Sequence, residues 1–159
     1  MSTKHYKANW GTPLIAVSSV VTALCLTIAF FAFRKGGESV WLGGSLVALV
    51  LGCALFSIRR YSLTTDALMI HRLLWTTRLP LAGLQTAQFE PNAMRASLRT
   101  FGNGGFFSFT GFYRNTLWGS YRAFVTDFRH TVVLRYTDHT IVVSPATPET
   151  FVNALESSR

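Results

Sequence analysis

Two long apolar runs open the chain, and short alternations of apolar and polar positions fill the rest. Pro13 to Phe33 carries about 21 residues without a charge and Val40 to Ile58 about 19. At about 1.5 Å per residue each comes close to the roughly 30 Å of a bilayer's hydrocarbon core, so both predict membrane-spanning helices. The link Arg34-Lys35-Gly36-Gly37-Glu38-Ser39 is too short to return through lipid, where unpaired backbone is not tolerated. An antiparallel helical hairpin over residues 13–58 follows. A cleaved leader would have a shorter apolar stretch and small residues after it, whereas Phe33-Arg34-Lys35 closes the first run. Residues 1–12, with Lys4, Lys7 and Trp10, predict a short polar tail.

From Tyr61 the period changes to two. Tyr61 and Leu63, then Leu68 and Ile70, alternate around Thr64-Thr65-Asp66-Ala67 and predict a β-hairpin with Asp66 in its turn. Further strands are expected over Leu74 to Leu79, interrupted by Pro80, and over Gln85 to Phe89, closed by Glu90-Pro91. Asn92 to Thr100 fits helix or strand equally. Beyond the glycine-rich stretch Phe101 to Gly119, strands are expected at Tyr121 to Val125, Thr131 to Tyr136 and Thr140 to Val143. Thr147-Pro148-Glu149 then has the cap, the proline and the acid of a helix start, with Phe151 and Leu155 on one face. About seven short strands and one helix in residues 59–159 predict a mainly β domain of the α+β class, a small barrel or two packed sheets closed by the helix.

The segment Tyr61-Ser62-Leu63-Thr64-Thr65-Asp66-Ala67-Leu68, the Leu79-Pro80-Leu81 step, Phe101-Gly102-Asn103-Gly104-Gly105-Phe106, Tyr121-Arg122-Ala123 with Thr126-Asp127, and Ser144-Pro145 ahead of Pro148-Glu149-Thr150-Phe151 together resemble the bacterial pleckstrin-homology-like membrane proteins. The resemblance implies a bent seven-stranded barrel with a C-terminal helix and no catalytic residues or cofactor. Relatives that bind phosphoinositides use a basic loop between the first two strands. Here that turn is Thr64-Thr65-Asp66-Ala67, without a basic residue.

Charge refines the picture. The net charge of +8 splits into six Lys/Arg against one acid before Tyr61 and nine against six after it. Most of the excess therefore flanks the hairpin, where basic residues orient helices and attract anionic lipid, and no nucleic-acid partner is needed to explain it. Lys4, Lys7, Arg59, Arg60 and Arg72 on the side of the termini outweigh Arg34 and Lys35 in the link, which places both termini in the cytoplasm of a cell whose inner membrane holds the hairpin. Neither apolar run contains an ionisable residue other than Cys25 and Cys53, which argues against a transporter or channel. The two cysteines predict small packing residues at different depths. Small-residue stripes, Ser19, Ala23, Thr27 and Gly44, Ala48, Gly52, are expected to pack the hairpin against itself.

The candidate site is Phe101 to Gly119, where five glycines stand among seven aromatic residues. Glycines free the backbone while exposed aromatics supply contact area, so Phe106, Phe107, Phe109, Phe112, Tyr113 and Trp118 are candidates for contact with lipid or a partner, against the alternative that they fill the barrel. Phe106 and Phe107, adjacent in an extended segment, would point to opposite faces. Arg114 and Arg122 belong to a lysine-free arginine set whose guanidinium forks suit phosphate or carboxylate. No metal-ligand or nucleophile spacing appears; Asp127-x-x-His130 is the one pair on which an enzyme reading could rest. The expected function is a membrane-anchored, non-enzymatic interaction module for a protein partner or a second copy, with lipid headgroups in supporting contact. A membrane-bound enzyme or a purely structural subunit is the alternative.

Overall fold

The computed structural model describes residues 3–157. The chain starts with β1 (Lys4–Lys7), runs through α1 (Thr12–Lys35) and α2 (Ser39–Leu55), and returns as β2 (Arg60–Leu63). Then follow β3 (Ala67–His71), β4 (Thr76–Pro80), β5 (Leu84–Phe89), β6 (Leu98–Gly104), β7 (Phe109–Asn115), β8 (Gly119–Val125), β9 (Val132–Tyr136), β10 (Thr140–Val143) and α3 (Pro148–Glu156). Ten strands among the described residues form two sheets, β1-β2-β3-β4 and β5-β9-β10-β8-β7-β6, with no closed barrel. Of the two expected arrangements, two packed sheets are found and not the bent seven-stranded barrel, with ten strands among the described residues and one parallel pair, β10 with β8.

The first correction lies at the N-terminus. Residues read as a tail include β1, which pairs antiparallel with β2 from Lys4 opposite Leu63 to Lys7 opposite Arg60. Tyr6 is the reason: its ring enters the core and meets Phe151 of α3 edge-on at 5.1 Å. The helical hairpin is thus an insertion between two neighbouring strands. Its two ends are tied down by Ala8 N donating to Arg59 O at 3.3 Å and Gly11 N to Thr126 O at 2.9 Å.

The second apolar run also ends earlier than its hydropathy. Helix α2 stops at Leu55, and Ser57 and Ile58 are buried, Ile58 in the core of the β domain. Of the two helices, α1 alone is long and apolar enough to cross a membrane by itself; α2 has 17 residues. The seam between them is one position off the expected stripes. Ser18, Cys25, Ala29 and Ala32 of α1 are buried, with Gly43 and Val50 of α2, whereas Ser19, Ala23, Thr27, Gly44 and Ala48 face outward. A Cβ on Gly43 would lie 3.0 Å from the Phe33 ring, so this glycine rather than Gly44 sets the close approach. Both cysteines are free.

The six-stranded sheet is covered on both faces. On one, Phe124, Val132, Leu134, Ile141 and Val143 pack against Tyr61, Leu63, Leu68 and Ile70 of the smaller sheet and Phe151 and Leu155 of α3. On the other, Tyr113, Tyr121, Ala123, Val133 and Val142 pack under Ala93 and Met94. Fully burying a side chain such as Phe124 or Phe151 contributes about 1.5–3 kcal/mol, so these two layers dominate the domain's stability. Tyr61 buries its hydroxyl too; it donates to Phe124 O at 2.7 Å, and burial pushes the phenol up to about 12. Thr147 occupies the cap position of α3, but its side chain makes no capping bond.

Candidate functional site

The glycine and aromatic stretch is a β-hairpin rather than a loop. Strands β6 and β7 pair along their length, with Gly102 opposite Gly111. Their backbones pass so closely that a Cβ on Gly102 would lie 2.3 Å from Thr110 O, and one on Gly111 2.2 Å from Phe101 O. Both glycines also have positive φ, +111° and +141°, which side-chain-bearing residues rarely adopt.

The tip of this hairpin is fastened to the base of the helices. Asn103 Oδ1 accepts from Phe106 N at 3.0 Å, and Phe107 takes the left-handed conformation at φ +64°, unusual for an aromatic residue. Ser18 of α1 bridges the turn, its Oγ accepting from Phe107 N at 3.0 Å and donating to Gly105 O at 3.3 Å. Ser108 Oγ donates to Phe56 O, just past α2, at 3.4 Å. The Phe107 ring meets Trp10 edge-on at 5.9 Å and lies 4.7 Å from that of Phe106. The expectation that Phe106 and Phe107 point to opposite faces fails here, because a turn and not an extended strand carries them. Both are half-buried.

The remaining expected residues divide. Phe109 lies tilted against Phe128 with ring centroids 4.3 Å apart, Tyr113 is buried with its hydroxyl donating to Asn103 O at 2.7 Å, and Trp118 lies half-buried beneath Arg135. Tyr113 belongs to the second core layer, and Phe109 and Trp118 pack against it. Burial pushes the Tyr113 phenol up to about 12. Arg114 is exposed on β7. Phe112 and Arg122 come together instead with residues outside the stretch.

They line a cleft of about 460 Å³ between the β3–β4 turn and strands β6, β7 and β8. Its walls are Phe56, Arg72, Trp75 and Thr77 on one side and Phe101, Phe112 and Arg122 on the other. Arg72, which the sequence alone marked only as a basic residue near the membrane, is 9% exposed. Its Nη1 donates to Thr77 Oγ1 at 2.5 Å, while its buried Nε has no hydrogen-bond partner. The guanidiniums of Arg72 and Arg122 lie 5.4 and 4.8 Å from the Phe124 ring centroid, and Arg122 also lies 5.8 Å from Phe112. Burial, then the nearby Arg122 charge, hold Arg72 below its ordinary value. Among the described residues neither arginine is ion-paired with a carboxylate.

Asp127 and His130 are in contact, Oδ2 to Nδ1 at 2.8 Å, but they close a short 3-10 turn in which Asp127 Oδ1 accepts from Arg129 N at 2.9 Å. A cluster that sequence reading missed is Ser62, whose Oγ lies 2.7 Å from His5 Nδ1 and 2.9 Å from His71 Nε2. It arises because β1, unrecognised as a strand, places His5 opposite Ser62. Ser62 is buried with its hydroxyl held between the two rings. Among the described residues no three His, Cys, Asp or Glu side chains gather as a metal site.

A family model described as the bacterial PH domain matches residues 59–159. No curated protein and no solved structure matches the chain.

Proposed function

Because the chain belongs to the bacterial PH domain family over residues 59–159, we propose that it works as a membrane-anchored, non-enzymatic interaction module. Helices α1 and α2 form the anchor, both termini and the β domain lie on the cytoplasmic face of the inner membrane, and the domain binds a protein partner or a second copy of itself, with lipid in supporting contact. The observation that carries the reading is the base of the helical hairpin. The β1 junction, the β2 junction and the β6–β7 tip are all bonded to it, so any anchoring of the helices holds the domain in one pose at the surface. The edge strand β6 is the last of its sheet among the described residues, with Leu98 71% exposed, so this edge is open to pairing with another chain. Both basic flanks, Lys4 and Lys7 before α1 and Arg59 and Arg60 after α2, support the cytoplasmic orientation.

The test is a photo-crosslinking amino acid placed at Leu98 or Thr100 of the full chain in native membranes, with the same probe at Glu149 on α3 as the comparison. A discrete protein adduct from β6 and none from Glu149 is expected. If β6 yields no protein adduct, the reading of this edge as the contact surface fails.

A further inference from the structure

The proposed function leaves open what the arginine cleft is for. Two guanidiniums face one aromatic ring from within 5.4 Å, one of them nine-tenths buried with an unpartnered Nε, and no carboxylate answers either. Like charges held in a partly dehydrated cleft repel, and a buried charged donor without an acceptor is expensive, so the arrangement is incomplete without an anion. Arginine forks match a phosphate in shape and in donor geometry.

The rim identifies the kind of phosphate. Phe56 immediately follows α2 and stacks edge-on against Trp75 at 4.9 Å, which puts the cleft at the level where the apolar helix ends. Leu73 and Leu74 in the β3–β4 turn, Phe101 and Phe112 are all exposed around it, Phe101 to 75%. A free anion gains nothing from this apolar rim; a lipid's glycerol and acyl region does. An ammonium headgroup such as choline would stand against two arginines with no acid in the cleft to receive it. We infer that the cleft between Arg72 and Arg122 binds the headgroup phosphate of an anionic glycerophospholipid, its acyl chains lying along Phe56, Trp75 and Phe101. The site is distinct from the Thr64–Ala67 turn, and the inference rests on the membrane-anchored reading above.

The full chain in detergent is titrated with short-chain phosphatidylglycerol, phosphatidylcholine and inorganic phosphate, and binding is read by calorimetry. Phosphatidylglycerol should bind at least tenfold tighter than phosphatidylcholine, and inorganic phosphate weakly. A hydrogen bond to a charged group is worth about 1.5–3 kcal/mol, so Arg122→Gln, on an exposed strand position, should weaken phosphatidylglycerol about ten- to a hundredfold. Arg78→Gln makes the same charge change away from the cleft, at an exposed β4 position paired with Asp66, and should leave affinity within twofold. Arg72→Lys keeps the charge without the fork and should also weaken binding. Equal affinity for the two lipids, inorganic phosphate binding as tightly as lipid, or Arg78→Gln matching Arg122→Gln would each overturn the proposal. Retention of the chain in membranes is measured separately by alkaline extraction, so loss of lipid preference with the anchor intact sinks the cleft alone.

Discussion

Replacing Tyr6 by alanine tests whether the segment ahead of the helices is part of the domain. The ring is 7% exposed, packs edge-on against Phe151 and donates a long hydrogen bond of 3.4 Å to Thr150 O. Truncating a buried aromatic residue costs about 3–5 kcal/mol, and the edge position of β1 with its weak hydroxyl contact puts Tyr6 at the low end, about 3 kcal/mol. For a chain of this size each kcal/mol corresponds to about 2–4 °C, so the midpoint should fall by roughly 6–12 °C. The assay is thermal unfolding of the full chain in detergent, followed by the β signal in circular dichroism. Lys4→Ala, an exposed position on the same strand, is the comparison and should shift the midpoint little. A cycle with Phe151→Leu should return a coupling of about 0.5–1.5 kcal/mol for the ring pair. If Tyr6→Ala behaves like Lys4→Ala, residues 4–7 are a tail and the stitched insertion is wrong.

Gly111→Ala should destabilise or unpair the β6–β7 hairpin, because the new methyl collides with Phe101 O and the φ of +141° is closed to alanine; faster amide exchange confined to Leu98–Asn115 is the readout. Asp127→Ala should lower stability by about 1 kcal/mol through loss of its bond to Arg129 N, seen as a reduced denaturation midpoint. For His71, burial first, then the Arg60 and His5 charges, hold the imidazole below its usual 6.5. The folded state therefore stays neutral where the unfolded chain takes a proton, so this stabilisation is present above about pH 6.5 and is lost as pH falls from there towards the lower folded value. Midpoints of wild type and His71→Gln measured from about pH 7 to about pH 5 should converge as the wild type loses this increment.

Local patterns were legible where one residue's surroundings decide its role. The Tyr61–Leu63 and Leu68–Ile70 alternation became β2 and β3, and Thr140–Val143 became β10 with the same bounds. Long-range effects were not. Four residues around Tyr6 carry no strand signature of their own; they form one because β2 offers an edge and Phe151 a partner ring. Hydropathy carried the second apolar run on to Ile58 because a core residue and a lipid-facing one are equally apolar. In Phe101–Gly119 the glycines are legible as bends, but their use in bringing two strands together depends on the register Gly102 to Gly111. The cleft was half visible: Phe112 lay in the singled-out stretch and Arg122 in the arginine set, whereas Arg72 reaches them only through the packing of one sheet on the other.

The proposed function requires the helical hairpin to be a membrane anchor with the domain on the cytoplasmic side. Reporter fusions at Gly37, between the helices, and after the C-terminus measure this directly in living cells. The predicted result is opposite sides, Gly37 outside and the C-terminus in the cytoplasm, with the chain resisting alkaline extraction. Reporters on the same side, an exported C-terminus, or release by alkali would contradict it.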